Sequence, residues 1–291
     1  MFSRRRILSG VTAIVIGALS TVPVFAQEVA KADDVAALLP QSVRDAGVLR
    51  IAVPDIGKPL AYKDGSELKG MDVDLANAVA ATLGLKAEIN LIPFAAALTG
   101  LQANKYDISY GQFYVTAERL KVANFVTDWQ DYSSFLVATS SGYKPTKLSE
   151  ICGHTVGAMA GSAELETLKA GAAKCDKAPT VSAFPSISNA ILALTSGRVE
   201  GILINRGGAQ ESIRMTPGLT ASGEIGGGPC ATAVARNENS EQMLSAVKAT
   251  YDHLIQTGAY HKILEKNDTA YGAVKTAEIF KEGSTPPKYG F

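Results

Sequence analysis

The stretch "VLRIAVPDIGKPLAYKDGSELKGMDVDLANAVAATLGLKAEINLIP", Val48 to Pro93, holds the pattern that decides the fold. Its first six residues are apolar apart from Arg50, and a short apolar run of this kind is the signature of a buried strand. A Gly/Pro/Lys-rich loop follows, from Pro54 to Tyr62. From about Asp72 the apolar residues Val73, Ala76, Val79 and Ala80 recur at helical spacing, and Gly84 supplies a stop. "KAEINLIP" returns to a strand. A strand, a helix and a second strand in succession predict a parallel α/β sheet.

Outward from this unit the rhythm continues. "AALTGLQANK" (Ala96 to Lys105) reads as a helix and "YDISYG" (Tyr106 to Gly111) as a third strand. After Phe125 the pattern breaks: "DWQDYSSFLVATSS" reads as an extended crossover. A second unit then repeats the rhythm through "HTVGAMA", "SAELETLKAGAA", "TVSAF", "ISNAILALTSG" and "VEGILIN". "EIGGGPCATAVA" reads as a returning strand, and Ser240 to Asn267 as two helices with a turn at Gly258. The expected organisation is two Rossmann-like α/β lobes joined by a two-strand hinge. The first lobe is discontinuous, residues 43–132 and 228–275; the second is residues 133–227. Residues 27–47 read as a loose start with a short helix, and 276–291 as a Pro/Gly tail without periodicity. A cleft between two such lobes is a common ligand site, and hinge closure is its expected motion.

The chain opens "MFSRRRILSGVTAIVIGALSTVPVFAQ". A basic segment, an apolar run and the small-x-small pattern Val24-Phe25-Ala26 predict a signal peptide over residues 1–26. The alternative, a membrane anchor, has an apolar run too short for a comfortable span, closed by Pro23. "SRRRIL" also resembles a twin-arginine export signal. The expected location is therefore the periplasm, possession of a twin-arginine route being an additional reading. Removing residues 1–26 takes away three arginines, so 28 basic side chains become 25 against 28 acidic ones, a net charge of −3. Such a balance argues against a nucleic-acid partner.

Three cysteines remain. In an oxidising compartment one disulfide is expected, and Cys152 and Cys175 are the favoured pair because they flank one strand-helix unit. A metal site at Cys152 and His154 is the competing reading, but there is no C-x-x-C and His is scarce. No metal and no cofactor are expected. Asp72 and Asp74 stand two apart at a helix start and read as structural, one capping and the other solvated. His253 and His261 read as surface residues.

The ordered segments "GVLRIAV", "GMDVDLANAVAATLG", "ANKYDISYG", "VTAERLKVANF", "HTVGAMAGSAE", "LTSGRVEGILIN" and "QTGAYHKILEKN", from Gly47 to Asn267, resemble the periplasmic solute-binding proteins of ABC importers, polar-amino-acid-binding (family 3) type. The resemblance implies a type II periplasmic-binding-protein fold and a non-enzymatic role. A monomer would capture a small carboxylate by lobe closure and present it to a membrane permease.

The same resemblance implies that Arg119, in "TAER", clamps the ligand carboxylate; a guanidinium fork matches that group. Its other reading is a surface arginine. Gly161 and Ser162, in "AGSAE", would complete the carboxylate site at a helix N-terminus, where Ser162 also reads as an N-cap. Phe94 falls at the family's stacking aromatic, or in the core. Gly111, Gln112 and Tyr114 lie on a strand end facing the cleft; Trp129 and Tyr132 lie near the crossover. Thr116 reads as a helix cap in preference to a ligand contact, and Glu118 as a solvated acid of the first helical turn.

One departure matters. Where the family's strand ends in an Asp that pairs with an α-ammonium, this chain has Asn205, an acceptor without charge. Three expectations stay open: an amino acid held through another acid such as Asp55, a carboxylate without a free primary amine, or a pocket that has lost tight binding. Two further functions compete with transport. One is a cyclohexadienyl-dehydratase-like enzyme with His154 or Glu164 as acid or base; the other is a ligand-loaded docking partner of a sensor. "EIGGGPC" is Gly-rich but precedes a strand, which argues against a phosphate cradle.

Overall fold

In the computed structural model the structure describes residues 29–291; the predicted signal peptide lies outside the described residues. The chain enters through two short helices, α1 (Asp33–Ala36) and α2 (Gln41–Ala46). They are not a loose start: Val35, Leu39 and Val43 are buried in the main core. Gly47 ends α2 in the left-handed conformation, with its N–H on the carbonyls of Val43 and Arg44.

Next come β1 (Val48–Pro54), the hairpin β2 (Tyr62–Asp64) and β3 (Glu67–Lys69), α3 (Met71–Thr82), β4 (Lys86–Ile92) and α4 (Ala97–Gln102). Then follow β5 (Ile108–Tyr114), the single turn α5 (Ala117–Leu120) and the long β6 (Ala123–Ala138). β1 pairs in parallel with both β4 and β5, as the strand-helix-strand reading predicts. The second unit comprises β7 (Thr155–Met159), α6 (Ala163–Ala172), β8 (Thr180–Phe184), α7 (Ile187–Thr195), β9 (Gly201–Asn205) and α8 (Arg206–Met215). The chain returns through β10 (Leu219–Ala235), α9 (Ser240–Gln256), α10 (Ala259–Lys266) and β11 (Ile279–Phe280).

The strand order is β4-β1-β5-β10-β6-β9-β7-β8, with β11 added to β6. Two strands make the crossing. β6 and β10 run antiparallel from Ala123↔Ala235 to Ala138↔Leu219. At one end they carry β5 and β11; at the other they carry β9. The apolar residues divide accordingly. One core is built on β1, α3, β5, α9 and α10, with Trp129, Phe113 and Phe125 fully buried. Two smaller clusters lie on the faces of β7 and β9, around Phe135 and Leu168 and around Leu194 and Ile202. The fold is a mixed α/β protein of two lobes on a shared pair of long strands.

The aperiodic tail, residues 276–291, packs on the body: β11 pairs with Val126 and Phe125, and Tyr289 docks on β10. Aperiodic sequence carries no helical or strand signal, yet edge pairing and aromatic burial need none.

Cys152 and Cys175 form a disulfide that closes a loop of sequence separation 23 in the second lobe. A loop of that length contributes about 3 kcal/mol in the chain-entropy account. Among the described residues no helix is long and apolar enough to cross a membrane. No group of three or more potential metal ligands occurs among them.

Candidate functional site

Seven of the nine residues singled out in the sequence line one pocket between the lobes: Phe94, Gly111, Gln112, Tyr114, Arg119, Ser162 and Asn205. The pocket encloses about 380 Å³ of empty space, part of it open to solvent. The two remaining residues are adjacent to it. Thr116 accepts a hydrogen bond from the Arg119 N–H at 3.2 Å and so caps α5, the favoured reading. Gly161 contributes its carbonyl to Arg119.

Arg119 owes its position to this local structure. β5 ends at Tyr114, the Thr116 cap starts α5, and one turn later Arg119 points back over the strand end. Its Nη1 donates to the Tyr114 carbonyl at 2.8 Å, and its Nη2 to the Gly161 carbonyl at 3.1 Å, across to the other lobe. The guanidinium carbon lies 5.4 Å from the Phe113 ring centroid and 5.9 Å from that of Phe94. Phe94 and Phe113 themselves meet at 5.2 Å. Phe94 is thus core, pocket wall and a floor under Arg119 at once, so its two readings do not compete. Burial pulls the guanidinium pKa down; the nearby Glu164 carboxylate opposes that. Arg119 is not a free surface arginine.

Opposite stands the N-terminus of α6. Ser162 accepts from the Leu165 N–H at 3.1 Å, the cap that the sequence predicts, and is almost fully buried. Gly161 has φ +79, where an added side chain is strained. A Cβ there would stand 3.2 Å from Ala95 Cα, so the lobes touch at this point. A second contact lies across the hinge: Arg206 stacks on Tyr271, 4.4 Å from its ring centroid, and a Cβ on Gly207 would stand 3.3 Å from Pro59. The cleft is closed.

Asn205 is at the end of β9 and lines the pocket, but its Oδ1 accepts from the Gly208 N–H at 2.8 Å. It is the N-cap of α8. Asp55, named in the sequence as a substitute acid, is exposed and does not line the pocket. The pocket's acids are Asp131 and Glu164. Asp131 sits on β6 in the crossover and is 1% exposed. Its Oδ1 accepts from the Tyr132 N–H at 2.8 Å; its Oδ2 has no hydrogen-bond partner. Burial pushes its carboxyl up to about 8, Glu164 adds to this, and the Tyr132 and Gly207 N–H groups and Arg206 act against it. Glu164, in the first turn of α6, accepts from the Ser133 hydroxyl at 2.8 Å. Sequence reasoning passed over Asp131, although an acid within the apolar alternation of a long strand is itself a signal.

The rear wall is Tyr114 and Cys230, paired across β5 and β10. The Tyr114 hydroxyl lies 3.2 Å from the Asp131 carbonyl, to which it donates. Cys230 is a buried free thiol whose pKa burial pushes well up. Gln112 adopts φ 54 and donates from Nε2 to Asp72 Oδ1 at 2.6 Å, while its Oε1 has no partner. Asp72 therefore neither caps α3 nor meets solvent; it is fully buried and holds Gln112. Asp74 binds Lys266 and Asn267. Trp129 is core, its Nε1 donating to the Thr269 carbonyl. His154 is outside the pocket, against Glu200 and stacked on Tyr143.

The sequence matches the bacterial extracellular solute-binding proteins, family 3, over residues 49–268, and the chain belongs to that family. It is 25% identical over 227 residues to the probable amino-acid-binding protein YxeM of Bacillus subtilis, covering 77% of this chain and 85% of that protein. An ancestral arginine-binding protein solved with arginine bound superposes with a TM-score of 0.71 at 29% identity, over 76% of this chain and 98% of its own. The ancestral amino-acid-binding protein AncCDT-1, a precursor of cyclohexadienyl dehydratase, shares the fold with a TM-score of 0.70 at 22% identity, over 79% and 99% of the two chains.

Proposed function

We propose that this protein is the amino-acid-binding component of an ABC importer, acting in the periplasm and delivering its ligand to a membrane permease. Family membership supports the class, and the relatives above are named for amino acids. One observation carries the ligand chemistry: a single small pocket holds a guanidinium, Arg119, together with two carboxylates, Asp131 and Glu164. A zwitterion matches that arrangement. Its carboxylate takes the Arg119 fork and the α6 N-terminus beside Ser162, displacing the Arg119–Gly161 contact. Its ammonium goes to Asp131, whose orphaned Oδ2 gains a partner, with Glu164 alongside. Asn205 then needs no charge, because the acid has moved from the end of β9 to the crossover strand.

Titration calorimetry against the standard L-amino acids, their N-acetyl derivatives and simple carboxylates tests this reading. L-Amino acids are expected to bind, N-acetyl derivatives to fail, and Arg119→Ala to abolish the heat. Removing one partner of a desolvated charge pair costs about 2 to 5 kcal/mol. Binding of N-acetyl derivatives at equal affinity would sink the assignment of Asp131. A dehydratase reading draws on a pocket carboxyl held up to about 8, a group suited to proton donation near neutrality. Incubation with prephenate or arogenate decides it; intact substrate after long incubation leaves binding as the function.

A further inference from the structure

The Gly-rich run Gly226-Gly227-Gly228 takes no part in the pocket, yet its backbone is specialised. Gly226 and Gly228 have φ +134 and +152, and the register of β10 against β6 shifts between Ser222 and Gly226. β10 bends here, in the crossover, opposite Asp131, Tyr132 and Ser133. Here too β10 loses its neighbour: β5 pairs with it only as far as Tyr114↔Cys230, then turns away into α5.

The vacated edge is filled by the segment Lys288–Phe291. The Gly227 N–H donates to the Tyr289 carbonyl at 2.7 Å. The Tyr289 hydroxyl donates to the Pro229 carbonyl at 2.9 Å and accepts from the Val115 N–H at 2.7 Å. Its ring lies 4.6 Å from that of Tyr114, and Phe291 meets Tyr114 edge-on at 5.3 Å. The glycines make room for this. A Cβ on Gly226 would stand 2.6 Å from the Tyr289 carbonyl oxygen, and one on Gly228 would stand 3.1 Å from the Tyr289 ring.

We infer that Tyr289 is a positioning residue for the ligand site, and that the segment carrying it is a strap favouring the closed cleft. The strap is fastened along the crossover, next to the bend. Val115 and Pro229 hold it at the first-lobe end, Val115 being one residue from the Thr116 cap that starts the Arg119 turn. Gly227 holds it two residues further on, close to the register shift beyond which β10 continues into the second lobe. Opening the cleft flexes the crossover strands to which these fastenings hold, so an intact strap resists it. The strap also backs Tyr114, a wall of the pocket, and its effect on affinity rests on the ligand reading above.

Spin labels on Ser66→Cys and Thr195→Cys, exposed positions in the two lobes, report closure without any ligand. The arms are the full chain, Tyr289→Phe and a chain ending at Lys288. The ratio of short to long interlobe distances is expected to fall about fivefold for Tyr289→Phe, the weight of its hydroxyl's two hydrogen bonds at the low end of their usual range, and further on truncation. A peptide of residues 282–291 added to the truncated chain is expected to restore the short distance. With L-arginine as probe, the off-rate rises in the same order while the unfolding temperature of Tyr289→Phe stays near that of the full chain. Unchanged distance distributions in both variants would overturn the strap. Absence of L-arginine binding by the full chain would count against the ligand reading alone, since the distance measurement decides the strap independently.

Discussion

Arg119 and Gly161, 42 residues apart in the chain, meet across the cleft through a hydrogen bond from the Arg119 Nη2 to the Gly161 carbonyl at 3.1 Å. The cation that the ligand reading assigns to a carboxylate is held meanwhile by a neutral backbone oxygen of the opposite lobe. Such a contact gives a half-buried guanidinium a partner across the closed cleft, at less strength than a carboxylate would give.

Gly161→Val is therefore expected to weaken binding without removing any ligand-contacting side chain. The residue adopts φ +79, and its Cβ would press on Ala95 of the first lobe. Small-angle scattering is expected to show a more open particle, and calorimetry an affinity at least about tenfold lower, the effect of roughly 1.4 kcal/mol. Unaltered closure and affinity would show that the lobes do not rely on this close approach.

Asp131 predicts opposite pH trends for stability and for binding. Burial raises its folded-state value to about 8, above an unfolded value of about 3.9. The folded state then holds the proton more tightly. Its contribution to stability is full below about pH 4 and is lost as pH rises to about 8. Asp128, raised to about 6 by burial, acts in the same direction over the lower part of that window. The empty protein's unfolding temperature is expected to fall between pH 5 and pH 8, and Asp131→Asn to flatten the upper part of that fall. Affinity for an ammonium-bearing ligand should rise over the same interval in the parent and not in Asp131→Asn. Calorimetry and thermal melts at pH 6, 7, 8 and 9 check both trends.

Asn205 separates capping from ligand contact. Its Oδ1 holds the Gly208 N–H, so Asn205→Ala is expected to cost about 1 kcal/mol of stability. Asn205→Asp keeps the cap and should leave the melting temperature near the parent's. If Asp131 is the ammonium partner, Asn205→Asp changes affinity far less than Asp131→Asn does. The reverse order would return the ammonium to the end of β9.

Much of this was legible in the chain. The spacing of Val73, Ala76, Val79 and Ala80 placed α3, and the apolar run from Val48 placed β1, because 3.6-residue and strand periodicities are local properties of the chain. Thr116 and Ser162 announced the caps they make, since a cap is a contact over three residues. The pairing of Cys152 with Cys175 followed from their flanking one unit. Tertiary structure decided the rest. Asp131 became a pocket acid because β6 carries it into the crossover, opposite Gly228 of β10, and Asn205 was already engaged with its own helix. Tyr289 found an edge of β10 that exists only where β5 departs. These depend on which distant segments arrive together, and a contact between residues 133 and 164, or 115 and 289, leaves no period in the sequence. Local interactions write themselves into neighbouring residues; the meeting of two lobes is fixed by closure of the whole fold.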